Sequence, residues 1–381
     1  KNMIAGLMIS SSLATPSFAE SLPDLVSELL ANDNQIMAAR ADVEAAGESI
    51  EAARGSYFPS LNITGTYGKE KQLKPTGTND ASMVSREIDF VVTQRLWDFG
   101  ATGATVDMVK LQRDQTGAAL QTIVSGVLLR AYTAYMNVLR ASQVRKFSIQ
   151  SEKNVRLQTK LEDELVESGA GATTDILQAK VQLAGAMARR VQADGALELA
   201  KHAYWGVFLK KVSDVSNMLP PRLPRGKIPA TQDEAVEMAF KNSPIIKSSN
   251  IDAMISKKAV KQTFASSYGP TFDGIVDSKL KRDVGTTAGT QTEVFAKVQF
   301  NFPFNLGMTA SNTIKASELA STSSAYRYAD ARNQLEMRIR SAWQQLQTTQ
   351  ANAKLVKNQA RIAAAFLELA REERKLDKRS L

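Results

Sequence analysis

The residue types that carry most enzyme chemistry are nearly absent from this chain. There is no cysteine, which excludes a disulfide framework, a thiol nucleophile and a thiolate metal site. His202 is the one histidine and, with no second imidazole to join it, reads as a surface or packing residue beside Tyr204 and Trp205. No glycine-rich loop ends in Gly-Lys-Ser/Thr, so no nucleotide site is expected, and no motif assembles an acid-base constellation. What remains is charge set out at a period of two. Glu87, Asp89, Thr93 and Arg95 alternate with Ile88, Phe90, Val92 and Leu96, and Asp273, Asp277 and Lys279 alternate with Phe272, Gly274, Val276 and Leu280. The chemistry open to such residues is electrostatic and steric: a polar surface on one side of a strand and an apolar one on the other.

The elements that hold these charges follow from the same patterns. In residues 85–110 a strand passes into a long helix through Trp97-Asp98-Phe99-Gly100 with almost no loop. The switch returns about 207 positions later, where Val294, Ala296, Val298, Phe300 and Phe302 alternate with Glu293, Lys297, Gln299 and Asn301 before Pro303-Phe304-Asn305-Leu306-Gly307. Repetition of the junction at this spacing predicts an internal duplication. A first repeat spans 20–219: a helix over 21–54, a hairpin over 57–96, a long helix over 102–168 and a return helix over 175–209. Gly169 suits the C-terminal cap of the long helix, and Thr174 or Asp175 the N-cap of the return helix. Prolines 220, 221, 224 and 229 stiffen a linker over 220–230. The second repeat, 231–381, offers a helix, a hairpin over 270–303 and a long helix over 309–378. The repeat offset predicts a further return helix after Leu381, so the chain reads as C-terminally truncated.

Composition agrees with long helices. Of 381 residues, 43% are apolar but only 7% aromatic, which disfavours one large globular core. The formal charge of +9 comes from 48 basic and 39 acidic residues interspersed along the helices, the pattern of solvated faces and not of a nucleic-acid-binding block. At the start, Lys1, an apolar run from Met3 to Leu13 and Ser17-Phe18-Ala19 read as a secretory signal peptide over 1–19. No later stretch is long and apolar enough for a transmembrane helix.

Strands of about ten residues with one apolar face match the length needed to cross a bilayer when tilted. A pair of amphipathic hairpins packed on a soluble core is the plainer alternative, but the neighbouring helices show no broad apolar surface to cover four strands. A lipid-facing sheet tolerates no open edge, and four strands cannot close a useful bore. Closure therefore calls for several copies, and three would give twelve strands around a watery lumen.

The duplicated order of helix, hairpin, long helix and return helix, with Tyr57-Phe58-Pro59, the two junction motifs and the Gly169–Asp175 turn, resembles the TolC family of outer-membrane channels. The resemblance covers 20–381. It implies an α+β membrane protein: a homotrimeric twelve-stranded β-barrel in the outer membrane of a Gram-negative bacterium, continuous with periplasmic coiled-coil helices. Trp97, Asp98, Phe99, Gly100, Pro303, Phe304 and Gly307 mark the strand-to-helix junctions. It also implies a periplasmic gate in which Thr174 and Asp175 of the first turn meet Arg379 of the second, with an Arg379–Asp175 ion pair as the constraint.

The function so implied is the passive exit duct of a tripartite export system, serving type I protein secretion or drug efflux, with no enzymatic activity and no cofactor. Its partners would be a periplasmic adaptor (membrane fusion protein), an inner-membrane ABC exporter or RND-type pump, and outer-membrane lipid. The rival is a periplasmic coiled-coil scaffold or adaptor, which would use the same helices but needs no lipid-facing band.

Overall fold

The computed structural model describes residues 22–73, 81–212, 214–221, 228–285, 287–304 and 306–375. The expected signal peptide, Arg379 and residues 222–227 of the linker lie outside the described residues. In chain order the elements are α1 (Leu22–Asn32), α2 (Asn34–Gly55), β1 (Ser60–Gln72), β2 (Ala81–Trp97), α3 (Ala101–Glu167), α4 (Thr173–Phe208), α5 (Gln232–Asn242), α6 (Pro244–Tyr268), β3 (Thr271–Arg282), β4 (Thr290–Asn301) and α7 (Thr309–Lys375), with a short 3-10 turn at Val215–Asn217. They form two compact units, Lys1–Ala38 with Thr122–Pro224, and Ala39–Gln121 with Arg225–Leu381.

The helix expected over 21–54 is two helices. Asp33 breaks it by accepting from the backbone N–H of Gln35 at 2.9 Å and of Ile36 at 3.1 Å, which makes it the N-cap of α2. The second repeat breaks at the matching place, where the Ser243 hydroxyl accepts from Ile246 N–H and Pro244 opens α6. One helix further back in the chain, Thr231 and Glu234 form a capping box that starts α5.

In the first unit α4 presents Ala179, Ala186, Ala193 and Ala200, all buried and seven residues apart. A strict seven-residue repeat of small side chains brings helices close and favours a left-handed supercoil. The opposing face of α3 buries Val127, Ala131, Tyr135 and Val138. Further along, the seam turns polar. Glu152 accepts from Arg190 at 2.6 Å and from Arg156 at 2.5 Å, and Asp194 accepts from Arg145 at 2.6 Å and from Arg190 at 2.7 Å. The Tyr135 hydroxyl donates to the Leu219 carbonyl at 3.0 Å, tying the start of the linker to α3, and burial pushes this phenol above its ordinary pKa.

In the second unit α5 and α6 lie along α7. Arg340 bonds Glu336 at 2.9 Å and Asp233 at 3.1 Å, Arg332 sits 4.9 Å over the Phe240 ring, and the Ser256 and Ser324 hydroxyls meet at 2.8 Å. From Gln344 to Leu369 every side chain of α7 is exposed, including the heptad-spaced Leu355, Ile362 and Leu369. The four strands make one antiparallel sheet in the order β1-β2-β3-β4, with β1 and β4 at its edges.

Candidate functional site

The register sorts the sheet into two faces. On one, Glu87 pairs with Lys281, Asp89 with Lys279 and Arg95 with Asp273 across β2 and β3, while Lys279 faces Glu293 and Asp273 faces Gln299 across β3 and β4. β1 adds Ser60, Asn62, Thr64 and Thr66 to this face. The charges neutralise one another: Arg95 and Asp273 at 2.5 Å, Lys281 and Glu293 at 2.7 Å, and Lys279 at 3.6 Å from both Asp89 and Asp277. Asp89 and Asp277 each keep one buried carboxylate oxygen without a hydrogen-bond partner.

The other face carries Leu61, Ile63, Tyr67, Ile88, Phe90, Val92, Val276, Leu280, Val294, Val298 and Phe300. These side chains are not covered: Leu61 is 60% exposed, Val294 70% and Val298 67%. An apolar face this broad and uncovered is costly in water and suits hydrocarbon.

At the helical end of the sheet the register slips between Arg95 and Trp97, which inserts Leu96 as an extra residue and turns Trp97 onto the apolar face opposite Phe272. A chain of rings follows: Phe99 to Trp97 at 5.4 Å, Trp97 to Phe272 at 5.9 Å and Phe272 to Phe300 at 5.0 Å. Phe264 extends it from Phe99 to Tyr268. Asp98 is buried and accepts from Gly100 N–H, Thr102 N–H and the Thr102 hydroxyl, capping α3. Burial alone would raise the Asp98 pKa, but these three bonds outweigh it and hold the carboxyl below the ordinary range. Phe99 and Gly100 both take positive φ, which lets the chain turn sharply from strand to helix.

The second junction is built differently. Pro303 is half-buried, Phe304 is 78% exposed, and the left-handed residue is Met308, not Gly307. Met308 then accepts from Asn312 N–H as α7 begins.

At the far end of α3, Gly169 at φ 77° donates to Val166 and Ala170 donates to Leu165, the paired bonds of a Schellman cap. The N-cap of α4 is Ala172, with no side-chain cap bond, which corrects the assignment to Thr174 or Asp175. The reason lies in the backbone: Ala172 is the last extended residue, and Thr174 and Asp175 are already in the first helical turn. There the Asp175 charge still favours the helix N-terminus. Thr174 is exposed and Asp175 half-buried; Arg379, their expected partner, lies outside the described residues.

The Leu96 bulge and the polar seam were missed from sequence. The bulge left one signal, Leu96 and Trp97 adjacent and both apolar at the end of an alternating strand. The seam left another, Glu152 and Thr159 on the heptad that continues Ala131 and Val138. Among the described residues no cluster of three or more His, Cys, Asp or Glu is placed to hold a metal ion, and no helix is long and apolar enough to cross a membrane.

Comparison with known proteins adds three findings. Residues 25–203 match the family described as outer membrane efflux protein. The chain is 25% identical to outer membrane efflux protein BepC of Brucella suis over 99% of its own length and 81% of BepC. It is 24% identical to outer membrane protein TolC of Vibrio cholerae over 61% of its length. That match spans 53% of the Vibrio TolC, about half of it. In fold it resembles the outer-membrane channel OprN, with a TM-score of 0.80, 17% identity and coverage of 94% of this chain and 81% of that one.

Proposed function

We propose that this chain, a member of the outer membrane efflux protein family that includes TolC, supplies one third of the wall of a passive export duct in the outer membrane. Proteins of this family are non-enzymatic conduits. The observation that carries the reading is the four-stranded sheet with two free edges, an uncovered apolar face and a charge-paired polar face. Unpaired edges in hydrocarbon cost several kcal/mol for each lost hydrogen bond, so the edges β1 and β4 must meet those of other copies, three chains closing about twelve strands. The polar faces then line the lumen and the apolar faces meet lipid. The rings from Phe99 to Phe300 fall where strands become helices, the depth at which aromatic girdles sit.

Because the chain carries no nucleotide site, the driving force comes from partners: a periplasmic adaptor and an inner-membrane ABC exporter or RND-type pump delivering a protein or drug. The periplasmic end is held shut at the helix turns through Thr174, Asp175 and Arg379, and opens when those contacts loosen. Single-channel recording of the detergent-purified full-length protein in planar bilayers tests the duct. Discrete current steps are expected. A protein that stays soluble without detergent and never inserts would instead be the periplasmic scaffold.

A further inference from the structure

Arg86 and Arg282 are directly opposite one another across β2 and β3, on the exposed apolar face and at the end of the sheet remote from the helices. Like charges placed in this way repel. Arg282 lies two residues beyond Leu280, the last apolar side chain of β3, and Arg86 two residues beyond Ile88 on β2, about 7 Å along each strand, with one further apolar side chain, Val84, outside Arg86 on the same face. Lys69 and Lys71 continue the same face of β1 and are exposed. Among the described residues the nearby carboxylates are largely engaged elsewhere. Glu70 points to the opposite face and accepts from Gly285 N–H at 3.0 Å and from Gln72 at 2.6 Å. Asp283 accepts from Gly289 N–H at 2.8 Å through one oxygen, and its other oxygen makes a long, solvent-exposed ion pair with Arg282 at 3.8 Å that offsets only part of that charge. Among the described residues Arg86 stacks on the Tyr67 ring, 5.6 Å beneath its guanidinium.

From this row of cations we infer a binding surface for phosphate-bearing lipid headgroups of the outer leaflet, with Arg86 and Arg282 as its centre. The inference rests on reading the sheet as a barrel wall. In that reading the helices, none of which among the described residues is long and apolar enough to cross a membrane, lie on the periplasmic side, so the opposite end of the apolar band meets the outer leaflet. Headgroups begin where the band stops, and a guanidinium pair presents planar forks that match phosphate oxygens bidentately. A lipid phosphate between Arg86 and Arg282 converts their repulsion into two charge-assisted contacts, and Lys69 and Lys71 add longer-range attraction. The tyrosine under Arg86 fixes the guanidinium plane at the interface.

The test uses the full-length protein in phosphatidylcholine nanodiscs doped with bisphosphorylated lipid A or with its dephosphorylated form, and measures the lipid that remains bound on extraction. Wild type should retain the phosphorylated form roughly tenfold better. Arg86→Gln with Arg282→Gln should erase the preference, while Arg86→Lys with Arg282→Lys restores part of it. Equal retention of the two lipids by wild type, or an unchanged preference in the Gln pair, overturns the inference. So does full competition by millimolar inorganic phosphate, which would mark a free-anion site. If the Gln pair fails to fold, Lys69→Gln with Lys71→Gln must weaken the preference, and no effect there counts against the surface. Channel current is recorded on the same samples: current without lipid preference defeats this inference alone, whereas failure to insert defeats the barrel reading as well.

Discussion

Trp97 stands beside Phe272, ring centroids 5.9 Å apart, on the apolar face of the sheet, although counting by twos from Arg95 would place it on the polar one. The extra residue Leu96 makes the difference. The bulge keeps Arg95 paired with Asp273 on one face and sends the indole to the other, where the strand ends and the helix begins. Trp97 should therefore sit at the membrane boundary. In a protein with Trp205→Phe and Trp343→Phe, lipids brominated near the headgroup should quench Trp97 fluorescence strongly. A protein keeping only Trp205 and Trp343 should be quenched weakly. Equal quenching of the two would remove Trp97 from the boundary.

Gly269 closes the same corner. A methyl group there would run into the Ala265 carbonyl oxygen and lie 2.5 Å from Phe99 Cβ. Gly269→Ala should lower stability by about 1–3 kcal/mol, read as a drop in the unfolding temperature of the reconstituted protein. Gly47→Ala, in α2 with open space around it, should instead raise stability by up to about 1 kcal/mol.

Between α3 and α4, the Arg145 hydrogen bond holds the Asp194 carboxyl below its ordinary pKa, with Arg190 adding to the effect. A carboxylate whose folded pKa is depressed stabilises the fold above its unfolded value, about 4, and loses that contribution as pH falls through the folded value. Helix pairing in the first unit should thus weaken below about pH 4. Asp194→Asn should flatten that part of the pH dependence in circular-dichroism melts. An unaltered profile would assign the acid sensitivity to other carboxylates.

Asp175 belongs to the proposed gate. Losing a half-exposed ion pair is worth about 0.2–1 kcal/mol, so Asp175→Ala in the full-length protein should raise the open population about 1.5- to 5-fold. Single-channel recording reads this directly as added open time or conductance. If the current is unchanged, Asp175 is a first-turn helix residue and nothing more.

Much of this protein is local pattern, and local pattern is legible in a sequence. Strand faces such as Ile88, Phe90 and Val92 against Glu87 and Asp89 follow from the two-residue period. The end of α3 follows from Gly169, whose positive φ few other residues tolerate. The duplication is visible because both junctions recur at one spacing. The tertiary structure decided what depends on register between distant segments. Only pairing of β2 with β3 brings Arg86 against Arg282, makes Leu96 a bulge and sets Asp89 beside Lys279. Only the antiparallel contact of α3 with α4 turns Glu152 from a helix-surface acid into a buried partner of Arg190. The split at Asp33 and the cap at Ala172 fall between these cases, since several polar residues competed for each cap and backbone conformation chose among them.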